Sequence, residues 1–292
     1  MSLRIRRVGL AALTIAALVL GAWAQNAAAP LSNSNSAFAP LDQWKTAVLA
    51  GDAAALQALY STTPALQVTI DKEQSDASAE TRFWIGLKPR KITLEVVQKT
   101  SPQPGVQVVV YQAEVGSAAS KDQTLYITEA QAWQQQSDQW HLVVVKRTEP
   151  AHLKQPLNKD KNIYPSDADA HAEIKEAEEK AAKEHKRVLL VFGANWCYDC
   201  HVLDLAFQRP DLAPVVARYE IVHVDIGPDG NKNVDLAKQF DVPLNKGVPA
   251  LAVVESTGKL VVSQKNGEFE NARAMTPEVL LGFLNKWRVE AQ

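Results

Sequence analysis

Hydrophobic and polar positions follow two different patterns along the chain, separated by a stretch with no period. In the first pattern, helical runs at Leu41 to Leu49 and Ala53 to Tyr60 are broken by Ala50-Gly51, and Asp52 stands where the second run needs a cap. Ser61-Thr62-Thr63-Pro64 stops that helix. Leu66 to Ile70 then reads as a short strand, and Glu80 to Leu87 as a short helix carrying Phe83 and Trp84. Four strand-like runs follow, at Lys91–Lys99, Val106–Val115, Thr124–Gln135 and Trp140–Arg147. They are divided by Pro102 to Gly105, a Gly116–Asp122 loop and a tight Ser137-Asp138 turn. Helices followed by an antiparallel meander predict an α+β domain over residues 38–149, its helices on one face of a curved sheet.

Glu149 to Pro165 holds three prolines and three lysines without periodicity, so residues 150–165 read as a linker. Beyond it the pattern alternates by type, predicting an α/β domain over residues 166–290. Ser166-Asp167 caps a run from Ala168 to His185 whose interleaved Glu and Lys form a solvated face. Strands are expected at Arg187–Phe192, Ile221–Ile226, Ala250–Glu255 and Leu260–Gln264, and helices at Tyr198–Phe207, Asn233–Phe240 and Val279–Trp287. Thr276 and Pro277 stand at the start of the last helix. Ser256 to Lys259 joins the last two strands as a hairpin, which makes the sheet mixed.

Length agrees with two domains: 292 residues exceed one average domain and allow each half its own core. A chain 46% hydrophobic and 22% charged is neither disordered nor a multi-span membrane protein. A net charge of −2 offers nothing to hold nucleic acid. Arg4, Arg6 and Arg7, the apolar run Val8 to Leu20 and the small-x-small site Ala22-Trp23-Ala24 read as an export signal over residues 1–24. The rival is an uncleaved anchor, and the run falls short of the roughly 20 residues that a spanning helix needs. Export places the protein in the periplasm or outside the cell.

The element order over residues 38–149, with its Gly51-Asp52 break and aromatic short helix, resembles the nuclear-transport-factor-2-like superfamily. The resemblance implies a cone-shaped pocket, an enzyme site in some members and a binding or dimerisation surface in many. No acid–base pair carries over. Trp44, Trp84, Trp133 and Trp140 read as core or pocket lining, and through the pocket as a surface for partners or self-association.

The chemistry lies at one strand-to-helix turn. The chain has two cysteines, Cys197 and Cys200, at the start of the helix that follows an apolar strand. Free N–H groups and the helix dipole there stabilise a thiolate at Cys197, and Cys200 lies nearly one turn on, within bridging reach. Cys197 can attack a substrate disulfide and Cys200 resolve the mixed disulfide.

Trp196-Cys197-Tyr198-Asp199-Cys200, with Gly247-Val248-Pro249 before a strand, resembles the thioredoxin superfamily. The resemblance implies Cys197 as nucleophile, Cys200 as resolving thiol, and a cis-proline edge at Val248 and Pro249 that holds a substrate peptide beside Trp196. Many thioredoxins carry a buried acid where this chain has Val191, so His223 or water would handle the resolving proton. Cys197-Tyr-Asp-Cys200-His201 also fits a c-type haem attachment pattern, but the buried strand before it and the Val-Pro edge oppose that reading. Zinc lacks a second cysteine pair. No metal or cofactor is therefore expected, and His201 reads as a helix-surface residue able to tune the thiolate.

Asp199 puts a negative charge between the thiols and disfavours the thiolate, which points to a reductant or isomerase of protein or small-molecule disulfides. A reductant in an oxidising compartment needs an electron donor, expected in the membrane. The reading from a different class is a non-catalytic adaptor that binds through the N-terminal pocket.

Overall fold

Helix α1 (Ala39–Ala50) has Pro40 in its opening turn and closes at Gly51, whose φ of 68° is left-handed and free of strain only for glycine. Asp52 accepts from Ala55 N at 2.9 Å and starts α2 (Ala53–Ala58) as expected. These elements belong to a computed structural model that describes residues 38–117 and 124–289. It divides into two units at Pro150/Ala151. The expected signal over residues 1–24, the leader after it and most of the 116–122 loop lie outside the described residues.

In the first unit β1 (Gln67–Ile70) and β2 (Glu73–Ser75) precede α3 (Ala77–Gly86). The meander β3 (Pro89–Gln103), β4 (Val106–Ser117), β5 (Thr124–Gln136) and β6 (Gln139–Arg147) follows. Sheet order is β2-β1-β6-β5-β4-β3, antiparallel except where β1 runs parallel to β6. β2 was not anticipated, because three polar, largely exposed residues carry no period. Apolar side chains of α1, α2 and α3 close over one sheet face.

Trp44, Trp84 and Trp133 are at most 1% exposed, and Trp44 meets Trp84 edge-on at 4.8 Å. These three fill the core. Of the two readings expected of them, core or pocket lining, these three follow the first. Trp140 is only partly buried and packs on Phe38.

A polar seam runs through this core. Glu80 accepts from Trp84 Nε1 at 2.7 Å and from Arg147 Nε at 3.0 Å. Glu129 accepts from the Tyr111 hydroxyl at 2.8 Å and from Gln131 Nε2 at 2.7 Å. Burial pushes both carboxyls up: Glu80 is raised despite the opposing pull of Arg147, and Glu129, which has no such partner bonded to it among the described residues, rises to about 8.

The second unit is a mixed sheet of order β10-β9-β7-β8, built from β7 (Arg187–Gly193), β8 (Tyr219–Asp225), β9 (Ala250–Val254) and β10 (Leu260–Ser263). β7 is parallel to β8 and antiparallel to β9, and β9 and β10 form the expected hairpin. α4 (Ala170–Glu184) packs with Val188, Leu190 and Phe192 on one face, together with Leu236 and Phe240 from α7 (Val234–Gln239) and its end. On the other face Leu189 and Val191 meet α5 (Tyr198–Phe207) and α8 (Pro277–Trp287). The short helix α6 (Ala213–Val216) follows α5. Two buried faces explain why β7 reads as an unbroken apolar run.

Asp169, rather than Ser166-Asp167, caps α4 by accepting from His171 N and Ala172 N. Thr276 occupies the N-cap position of α8 without a side-chain bond. The segment expected as a linker is packed into the second unit: Leu153 is 0%, Ile163 7% and Tyr164 1% exposed. Leu153 joins the α5 and α8 core, which a solvated connector would not do.

Candidate active site

β7 ends at Gly193, and Ala194-Asn195-Trp196 turns the chain into α5 with Cys197 at its N-cap. Cys200 N donates to Cys197 Sγ at 3.1 Å, so the nucleophile expected from the motif receives a first-turn N–H of the helix. The two cysteines form a disulfide with Cα atoms 5.3 Å apart. Both are buried, Cys197 at 5% and Cys200 at 1% exposed, so Cys197 is the less deeply buried residue of the pair. The Val248–Pro249 peptide is cis, and the Val248 carbonyl oxygen lies 3.5 Å from Cys197 Sγ. Trp196 is 50% exposed, and its Nε1 donates to the Gly227 carbonyl at 3.0 Å, fixing an open indole next to Cys197 in the chain.

The tuning residues stand elsewhere than the motif suggests. Asp199 is buried and paired with Arg273, whose backbone N donates to it at 2.8 Å and whose Nε does so at 3.1 Å. The bare negative charge expected beside the thiols is thus compensated. His201 is not a surface residue: it is 3% exposed, and its Nε2 donates to the Asn195 carbonyl at 2.8 Å. That bond occupies the nitrogen a haem iron would need. His223 lies on β8 opposite Val191, stacked edge-on against Tyr164 at 5.2 Å, and burial lowers its pKa.

Several residues at the site were missed. Ile163 and Tyr164 form a small apolar cluster with Cys197, Cys200 and Val248. Asn195 holds them there. Its Oδ1 accepts from Ile163 N and Tyr164 N, both at 3.0 Å, and its Nδ2 donates to the Tyr164 carbonyl at 2.7 Å. Gln155 accepts from the Tyr198 hydroxyl at 3.1 Å. The apolar pair Ile163-Tyr164 within a proline- and lysine-rich stretch was the one local signal; Arg273 had none.

A mixed four-stranded sheet with helices on both faces and a Cys-x-x-Cys pair at a helix start, facing a cis-proline edge, defines a thioredoxin-like domain of the thiol–disulfide oxidoreductase class. A family model described as thioredoxin-like matches residues 169–256, within the C-terminal unit. It is 28% identical over 110 residues to thiol:disulfide interchange protein DsbD 2 of Pseudomonas aeruginosa, covering 37% of this chain and 17% of that protein. The chain thus spans less than a fifth of that relative's length. A solved disulphide isomerase from Xylella fastidiosa Temecula1 is 36% identical, with 44% of this chain and 97% of that one covered and a TM-score of 0.41. The first unit is similar to an NTF2-like protein from Rhodospirillum rubrum, at 20% identity, 37% and 93% coverage and a TM-score of 0.33.

Proposed function

We propose that the protein is an extracytoplasmic thiol–disulfide oxidoreductase that reduces or isomerises disulfides through Cys197 and Cys200. The observation that carries this reading is Cys197 Sγ at a helix start, 3.5 Å from the Val248 carbonyl of the cis-proline edge. A substrate peptide laid along that edge brings its disulfide to Cys197. The Cys197 thiolate attacks, the substrate S–S bond breaks, and one substrate thiolate leaves. Cys200 then loses its proton and attacks Cys197, forming the internal disulfide and releasing the second substrate thiol. The substrate gains two electrons and the protein loses them, so turnover requires a thiol donor, which we place in the membrane.

The reducing direction is supported by the dipeptide between the cysteines. Tyr198 bonds to Gln155 and Asp199 to Arg273, so neither side chain stabilises the Cys197 thiolate. A thiolate without such help gives a potential nearer the roughly −270 mV of thioredoxin than the roughly −120 mV of a strong oxidant. Similarity to a thiol:disulfide interchange protein agrees with thiol–disulfide chemistry at this pair. Extracytoplasmic placement rests on the signal pattern of residues 1–24; among the described residues no helix is long and apolar enough to cross a membrane. The test is insulin reduction with dithiothreitol as donor. The full chain accelerates precipitation and Cys197→Ser abolishes the acceleration. A full chain with no effect on the rate would favour the adaptor reading instead.

A further inference from the structure

The resolving sulfur poses a problem that the motif does not solve. Cys200 is 1% exposed, and the position from which many thioredoxins offer a buried acid holds Val191, an apolar side chain. A thiolate forming there is desolvated and needs a donor. The apolar cluster around the disulfide contains a single hydroxyl, that of Tyr164. It is buried and has no hydrogen-bond partner among the described residues. Gly193 leaves the space it faces: a Cβ there would stand 2.7 Å from Cys200 Sγ and closer still to the Tyr164 hydroxyl oxygen. The Asn195 clamp ties the Tyr164 backbone to the same turn that carries Cys197.

We propose that the Tyr164 hydroxyl donates a hydrogen bond to the Cys200 sulfur and holds it as a thiolate while it resolves the mixed disulfide. This rests on the oxidoreductase reading above. In the disulfide form the Cys200 sulfur is neutral and a poor acceptor, which accounts for the orphaned hydroxyl; as a thiolate it is a strong one. Tyr164 acts as donor and not as base. Burial, with Asp204 and Asp225 behind it, raises its pKa far beyond neutral pH, and His223, whose own pKa is lowered, faces its ring. In the step itself the Cys200–Cys197 bond forms and the Cys197–substrate bond breaks. The proton of Cys200 ends on the departing substrate thiolate, and Tyr164 is unchanged.

The test uses full-length reduced protein and an aromatic disulfide that releases one coloured thiolate at attack and a second at resolution. Tyr164→Phe keeps the ring and its contact with His223. It should leave the first phase unchanged and slow the second about tenfold, the worth of one hydrogen bond to a charged group. In a Cys197→Ser background the same change should raise the pH midpoint of Cys200 alkylation by about one unit. An unchanged second phase, an equal slowing of both phases, or an unmoved midpoint would overturn the proposal. A wild-type protein that shows no second phase would instead overturn the oxidoreductase reading.

Discussion

Single side chains around the disulfide set its reactivity through partners far away in the chain. Asp199 shows this: Arg273, 74 positions on, cancels its charge. Arg273→Ala leaves the carboxylate bare next to the cysteines and disfavours the thiolate, so the Cys197 thiol pKa rises. Because Arg273 is half exposed, solvent screening limits the effect, and alkylation of Cys197 at pH 7 should slow by roughly threefold rather than a hundredfold. The pH profile of alkylation measures it. In the first unit, Glu129 is protonated in the fold and ionised in the unfolded chain above the ordinary carboxylate value of 4.5. Its folded value is raised, so its contribution is complete below 4.5 and is lost as the pH climbs towards about 8. Urea midpoints followed by tryptophan fluorescence should therefore fall over that interval. Glu129→Gln should flatten the fall.

At the scale of elements, the turn between β7 and α5 joins three things: the strand that leads to the disulfide, the helix whose first turn donates to Cys197 Sγ, and the segment bearing Tyr164. Asn195 is the joint. Asn195→Ala leaves the Ile163 and Tyr164 N–H groups and the Tyr164 carbonyl without their partner. The expected cost is about 2–3 kcal/mol, read as a lower denaturant midpoint with an unchanged m-value. Element existence and type were widely legible, because helical and strand periods and the turn residues Gly51, Ser137 and Gly258 are local signals. Caps were legible only in part. Asp52 was recognised, whereas Asp169 lay in a run of acids in which Ser166-Asp167 looked equally suitable.

At the scale of the whole chain, the second unit is larger than its periodic pattern. A chain beginning at Ala151 keeps Leu153, Gln155, Ile163 and Tyr164, and should fold and reduce insulin at the rate of the full protein. One beginning at Ser166 loses the wall behind the cysteines and should be less stable and far slower. Melting curves and the insulin assay on the two truncations decide it; equal activity would show that residues 151–165 are dispensable.

What the sequence by itself determined was local in origin. The Cys197–Cys200 spacing at a helix start, the mixed sheet and the helix-then-meander order all follow from periods, turns and short motifs, while the Val248–Pro249 edge was implied by the thioredoxin resemblance. Tertiary structure alone decided the surroundings of the disulfide. Tyr164 meets Asn195 across 31 positions and Asp199 meets Arg273 across 74, and such contacts leave no period in either partner's neighbourhood. The same holds for Trp44, Trp84 and Trp133, whose apolar rings suit a core or a pocket equally well. Only the closure of the helices over the sheet made them core.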